Sequence, residues 1–351
     1  MMIKILIVDD SATELAILKH IFSSAADIEV VGCAKNGKEA IQFAEQLKPD
    51  LITMDLQMPV MDGYEAIRHI MRKNPIPIVV ISSKLNRNSM TATYEALDAG
   101  ALSVLEKPLN INSSNFYIEK KRLIDTVRSM AEIKVIRRRF FRESQTTILP
   151  CEANVKNRHF DIVVIGASVG GPQALKRILT KLPVNFQVPI VIVQHMIPGY
   201  MQGFSQWLDD NSLLKIKNAT DNEILVGGVV YFAPDKYHLT VKSIQGNLMA
   251  KLVKGKPISG FCPSVTVLMQ SVAKTCGDRA IGVLLTGMGH DGADGLLEMK
   301  KAHSHTIIQD EKSAVVFGMA GVAQSLGAVD NTVELEKIAP YLTQRINSEP
   351  T

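Results

Sequence analysis

The chain has 351 residues, 46% apolar and 21% charged, an ordinary globular composition with enough length for two domains, which makes a one-domain reading the weaker one. Its 39 basic and 35 acidic residues leave a formal net charge of +4, an excess that demands neither a nucleic-acid nor a membrane partner. Cys33, Cys151, Cys262 and Cys276 lack the spacing of a disulfide framework or zinc site, and no apolar run approaches the ~18 residues of a membrane span, so the reading is a soluble chain of the reducing cytosol.

From residue 3 to 109, the apolar runs Ile3 to Val8, Glu29 to Cys33, Leu51 to Met54, Ile78 to Ile81 and Ser103 to Leu105 read as strands. Amphipathic stretches, starting with Ser11 to Ser23 and Gly37 to Leu47, separate them. This alternation predicts a parallel sheet covered on both faces, a flavodoxin-like (βα)5 domain over residues 1–130. Residues 116–142 are charged and helix-compatible and end in Arg137-Arg138-Arg139. Residues 143–158 have little periodicity, so a linker is placed at 131–158 and a second domain at 159–351. That domain opens with Ile162 to Ile165 and continues with Pro189 to Val193, Ala280 to Leu285 and Thr306 to Ile308. It reads as a doubly wound, mostly parallel α/β domain. A hairpin-like signal around Gly227 to Phe232 and Tyr237 to Val241 predicts a mixed sheet.

Chemistry gathers at the predicted strand ends. Asp9 and Asp10 follow the first strand, Asp55 the third, Ser82 the fourth and Lys107 the fifth, all on the edge where doubly wound sheets bind ligands. Three carboxylates gathered there repel one another and call for a hard, oxygen-liganded cation such as Mg²⁺. Asp55 would then attack a phosphoryl group whose charge the metal and Lys107 offset. Taken singly, each charge could equally be a solvated strand end.

In the second domain, Gly166-Ala167-Ser168-Val169-Gly170-Gly171-Pro172 leaves a serine hydroxyl at a strand-to-helix turn. Such a turn could also cradle a phosphate or simply pack closely. Two other strand ends offer the partners a serine nucleophile needs. His195 follows Ile190 to Gln194, and Asp291 lies in the glycine-rich run from Thr286 to Gly295. A histidine must take the hydroxyl proton, and a carboxylate must fix the imidazole tautomer and stabilise the imidazolium. His238, His303 and His305 read as packed or surface residues, and Asp294 and Asp310 as weaker rival acids.

Two resemblances cover nearly the whole chain. Residues 1 to about 130 resemble response-regulator receivers through Val8-Asp9-Asp10-Ser11, Met54-Asp55-Leu56-Gln57-Met58-Pro59, Asp62-Gly63, Ser82-Ser83 and Lys107-Pro108. This implies that Asp10, Asp55 and the Gln57 carbonyl coordinate Mg²⁺, that Asp55 takes phosphate from a histidine kinase, and that Ser82 senses it. Residues 160 to about 345 resemble the catalytic domain of chemotaxis-type protein-glutamate methylesterases. The motifs are Gly166 to Pro172, Gln194-His195-Met196, Ala233 to His238, Pro263-Ser264-Val265, Leu285 to Gly295 and Gln309 to Met319. This implies hydrolysis of glutamate γ-methyl esters on methyl-accepting chemoreceptors, with release of methanol and often deamidation of receptor glutamines. Ser168 would be the nucleophile, His195 the base and then the acid, and Asp291 its orienting partner, while the Met288 N–H would bind the oxyanion. Domain order and resemblance together imply that the unphosphorylated receiver restrains the hydrolase.

The sequence departs from these patterns at Val104, where receivers carry Tyr or Phe, and at Val169, where threonine is usual. It departs also at His290, Ile197, Ala320 and Phe261-Cys262. Two other readings remain: a DNA-binding regulator, prompted by the basic segment from Lys120 to Arg142 but lacking a helix-turn-helix, and a catalytically inactive signalling scaffold.

Overall fold

The computed structural model describes residues 2–82, 94–108, 116–133, 159–196 and 198–347. Ser83, Arg137-Arg138-Arg139, Cys151, the 143–158 boundary and Ile197 lie outside the described residues. The chain divides into two units, Met1–Arg139 and Phe140–Thr351. Among the described residues no helix is long and apolar enough to cross a membrane.

In the first unit, β1 (Ile3–Val8), β2 (Ile28–Ala34), β3 (Leu51–Met54), β4 (Ile78–Ser82) and β5 (Ser103–Glu106) form one sheet in the order β2-β1-β3-β4-β5. Every pairing is parallel. β3 is buried along its whole length, as expected of a strand covered on both faces. Side-chain caps start the flanking helices: the Glu39 N–H donates to Asn36 Oδ1 at 2.9 Å and the Glu65 N–H to Asp62 Oδ1 at 2.8 Å. Gly63, at the start of helix Gly63–Lys73, packs so closely that a Cβ would lie 2.1 Å from the Asp55 carbonyl oxygen. Asp62-Gly63 therefore holds the loop after β3 in place.

The second unit contains a seven-stranded sheet of β6 (Ile162–Ala167), β7 (Ile190–Gln194), β8 (Lys215–Asn218), β9 (Val229–Phe232), β12 (Ala280–Leu284), β13 (His305–Gln309) and β14 (Asn331–Val333). Its order is β14-β13-β12-β6-β7-β9-β8, and all six pairings are parallel. The predicted hairpin does not form: the Gly227 to Phe232 segment supplies β9, parallel to β7 and β8, while β10 (His238–Ile244) pairs antiparallel with β11 (Asn247–Val253) in a separate two-stranded sheet, so the large sheet itself is not mixed. Gln245 and Gly246, at φ 50° and 82°, make the tight turn between these strands. β10 packs instead against helix Val265–Cys276, where the Val241 N–H donates to Ser271 Oγ and Thr275 Oγ1 donates to the Val241 carbonyl. Those side chains occupy the backbone groups a further strand would have used.

β6 pairs with β7 on one side and β12 on the other, so the chain reverses its direction of winding there. The crevice at such a switch point opens at the carboxyl ends of these strands. Ser168, His195 and the Thr286–Gly292 loop all emerge at that edge.

Candidate active site

The first unit gathers charge at the carboxyl edge of its sheet. Lys107 Nζ lies 2.7 Å from Asp9 Oδ2 and 2.9 Å from Asp55 Oδ1, and also pairs with the Glu14 carboxylate. The Asp9 contact is one of charge without a well-aligned hydrogen bond. Asp55 Oδ2 accepts the Gln57 N–H at 3.1 Å, and Asp9 Oδ1 the Ser11 N–H at 3.0 Å. Burial raises the Asp55 pKa and takes that of Asp9 to about 6, against the lowering effect of Lys107. Burial disfavours the Lys107 charge, but its three carboxylate partners outweigh that and raise its pKa.

Asp10 is exposed and is not among the carboxylates paired with Lys107, while Ser82, half-buried at the end of β4, accepts the Lys107 N–H at its carbonyl. Val104 lies inside β5, only 3% exposed. Glu14 escaped the sequence reading. Its signal was its place in the first turn of the helix that Ser11 caps, where acids are common for the dipole alone. Among the described residues no three acidic, histidine or cysteine side chains already stand as a ligating group. Even so, the donors are hard oxygens, and three carboxylates face a single ammonium, so the excess negative charge suits a divalent cation.

At the edge of the large sheet, the register pairs Ala167 with Gln194, which makes Ser168 and His195 the next residues on adjacent strands. Three further hydrogen bonds tie them. The His195 N–H donates to the Ala167 carbonyl at 2.9 Å, and Gln194 Nε2 donates to the carbonyls of Ser168 (2.9 Å) and His195 (2.7 Å). Ser168 is 7% exposed, and its N–H donates to the Thr286 carbonyl at 3.0 Å. Gly170, at φ 76°, turns the chain into helix Gly171–Leu179. A Cβ on Gly171 would stand 2.0 Å from Gln194 Oε1, so glycine is needed for this approach.

His195 Nε2 lies 2.9 Å from Asp291 Oδ2. An ionised carboxylate only accepts, so Nε2 carries a proton and Nδ1 is the nitrogen turned away from Asp291. Nδ1 is buried and has no hydrogen-bond partner. The imidazole stacks on Phe261 with ring centroids 3.7 Å apart and planes 3° from parallel, which fixes the ring plane.

Asp291 is fully enclosed. Oδ1 accepts from Ser264 Oγ (2.8 Å) and the Thr266 N–H (3.1 Å), and Oδ2 from the Val265 N–H (2.8 Å) in addition to His195. The carboxylate sits at the N-terminus of helix Val265–Cys276, where free amides and the helix dipole favour an anion. Burial pushes its pKa up, but the hydrogen bonds and charge of His195, with those of Thr266 and Ser264, pull it down to about 2.

The Thr286–Gly292 loop passes directly beside Ser168. A Cβ on Gly287 would lie 2.3 Å from Met319 Sδ and 2.7 Å from Ser168 Cβ. Met288 is 38% exposed, and the Gly287 carbonyl behind it accepts the N–H groups of Gly318 and Met319. Gly287→Ala is therefore expected to push Ser168 out of line. Turnover should fall at least tenfold with a lowered melting midpoint, by the overpacking cost of roughly 1–3 kcal/mol, as parallel kinetics and thermal unfolding would register.

The rival groups lie apart from this cluster. Asp294 is exposed in the first turn of its helix, Asp310 bonds Ser313, and His305 bonds the Tyr341 hydroxyl at 2.7 Å. His290 is exposed and the Val169 carbonyl accepts from Thr286 Oγ1. His238 is buried with both ring nitrogens bonded. The donors to Asp291 from Ser264, Val265 and Thr266, the Phe261 stack and the Gln194 bridge carried no assigned role in the sequence reading. Pro263-Ser264-Val265, a serine before an apolar helix, was the available signal.

Both parts of the chain match known families. Residues 163–342 match the family model described as CheB methylesterase, and residues 5–115 that of the response regulator receiver domain. The protein-glutamate methylesterase/protein-glutamine glutaminase 1 of Syntrophus aciditrophicus (strain SB) is 42% identical over 99% of this chain and 99% of its own length. A protein-glutamate methylesterase/protein-glutamine glutaminase of Myxococcus xanthus (strain DK1622) is 41% identical over 97% of this chain and 96% of its own. The crystal structure of the Thermotoga maritima CheB methylesterase catalytic domain is 38% identical, with a TM-score of 0.52, and covers 53% of this chain and 98% of that chain. With relatives this similar along nearly its full length, the chain belongs to the CheB methylesterase family and carries a response-regulator receiver domain ahead of the methylesterase domain.

Proposed function

We propose that the chain is a phosphorylation-regulated protein-glutamate methylesterase that hydrolyses glutamate γ-methyl esters on methyl-accepting chemoreceptors and also deamidates receptor glutamines. The observation that carries this reading is the His195–Asp291 pair, whose unpartnered Nδ1 leaves a base beside the turn that holds Ser168. Nδ1 takes the Ser168 hydroxyl proton as Oγ attacks the ester carbonyl, and Asp291 stabilises the resulting imidazolium. The Met288 N–H stabilises the oxyanion of the tetrahedral adduct. The adduct collapses as the imidazolium returns its proton to the leaving oxygen, releasing methanol. Water, deprotonated by the same nitrogen, then cleaves the acyl-enzyme to the free glutamate carboxylate and restores Ser168.

The receiver spans residues 1–130, a linker 131–158, and the catalytic domain 159–351. A histidine kinase supplies the phosphoryl group to Asp55. Asp10, Asp55 and the Gln57 carbonyl would hold Mg²⁺, which offsets the phosphoryl charge when bound. Lys107 and Ser82 respond to the phosphoryl group, and the protein works in the cytoplasm. Val169 and His290, which prompted the inactive-scaffold alternative, leave the His195–Asp291 pair intact.

The test is methanol release from methylated receptor membranes by the intact chain and Asp55→Asn, each with and without a phosphodonor. Release by the intact chain that rises with phosphodonor, and does not rise in Asp55→Asn, is expected. Absence of methanol sinks the reaction, and equal stimulation of both chains sinks the control.

A further inference from the structure

The catalytic carboxylate proposed above is held by a side chain to which neither the reaction nor any motif reading gives work. Asp291 lies between Gly289 (φ 84°) and Gly292 (φ 92°), in a loop whose backbone is otherwise permissive. Two hydroxyls fasten that loop to the corner before helix Val265–Cys276: Ser264 Oγ donates to Asp291 Oδ1 at 2.8 Å, and Thr266 Oγ1 accepts the Gly292 N–H at 2.7 Å. Ser264 occupies the N-cap position, yet its bond from the Val267 N–H is long, at 3.4 Å. Its hydroxyl is committed more closely to the carboxylate than to the helix.

Ser264 is itself anchored from β10. Its N–H donates to His238 Nδ1 at 3.2 Å, while His238 Nε2 donates to the Lys256 carbonyl at 3.0 Å. A backbone N–H can only donate, so Nδ1 must be unprotonated and His238 is held as one neutral tautomer. A chain of contacts thus runs from Lys256 through His238 and Ser264 to Asp291 and His195.

We propose that Ser264, anchored by His238, is the positioning residue that fixes the Asp291 carboxylate for its bond to His195. Without the Ser264 hydroxyl, Oδ1 loses its shorter hydrogen bond, and the Val265 and Thr266 N–H groups are left to hold the carboxylate against the imidazole with less restraint on its orientation. The inference rests on the serine-hydrolase reading, so its test includes a measurement that needs no receptor.

Ser264→Ala, Ser264→Thr and His238→Asn, made in the full chain, are compared in three ways: the rate at which a serine-directed phosphonate labels Ser168, kcat and KM for methanol release, and thermal unfolding. In Ser264→Ala, labelling and kcat are expected to fall together by about 10- to 100-fold, the size of one hydrogen bond to a charged group, with KM within about twofold and the unfolding midpoint nearly unchanged. Ser264→Thr restores the hydroxyl and should recover most of the loss, and His238→Asn, whose carboxamide oxygen can replace the Nδ1 acceptor, should lie close to it. Undiminished labelling in Ser264→Ala, an equal loss in Ser264→Thr, or a loss carried entirely by KM or by a lowered melting midpoint overturns the proposal. Labelling of the wild-type chain without methanol release overturns the substrate reading instead, and the labelling comparison among the variants still decides the role of Ser264.

Discussion

Ser168→Ala is expected to lower methanol release by about a millionfold, the scale seen when a nucleophile is removed from an interdependent triad. The size follows from the division of labour at the edge of the large sheet. Without Oγ no acyl-enzyme forms, and the His195–Asp291 pair has no proton to take. What remains is whatever the Met288 N–H and substrate binding confer on direct attack by water. The fold should not suffer, because Ser168 is held through its backbone: its N–H bonds to Thr286, and its carbonyl accepts from Gly171 and Gln194. Kinetics on the variant, with an unfolding curve superimposable on wild type, checks both halves of the expectation. Retention of even a hundredth of the activity would mean that Ser168 is not the nucleophile.

Asp291→Asn is expected to cost roughly 10⁴-fold in kcat, the effect of leaving the imidazole in the wrong tautomer and its charged form unsupported. Here stability should change as well. All four hydrogen bonds to the carboxylate come from donors, and the Asn side-chain NH₂ would point a fifth donor at them. The native pKa of about 2 lies below the usual 3.8, so the ionised carboxylate stabilises the folded state. With a depressed folded-state value, that contribution is fully present above about pH 4 and is lost as the pH falls through 2. It amounts to about 2 kcal/mol. Denaturant unfolding should therefore find the variant less stable than wild type near neutrality and the gap narrowing below about pH 4. A gap that stays constant across that range would show that the carboxylate charge is not what stabilises the site.

Much of this was legible in the residues. Largely apolar runs such as Ile162 to Ile165 fit a sheet covered on both faces, and Asp55, Ser168 and His195 each lie within three residues of the end of such a run. The chemistry at the strand ends was therefore readable from order alone. The hairpin expected between Gly227 to Phe232 and Tyr237 to Val241 does not form: β9 lies parallel within the main sheet, and β10 pairs with β11 instead. Whether β10 joins that sheet depends on Ser271 and Thr275, which meet it across 30 and 34 residues of chain.

The sequence by itself determined the two β/α domains and the strand-end residues that carry chemistry, because periodicity and the residue after a strand are local properties of the chain. Only the tertiary structure decided which helix N-terminus cradles Asp291, which imidazole nitrogen faces it, and that Glu14 joins Asp9 and Asp55 around Lys107. Those outcomes depend on how distant segments pack and align. Asp291 and its donors in Ser264, Val265 and Thr266 stand 25 to 27 residues apart, and no local pattern encodes their meeting.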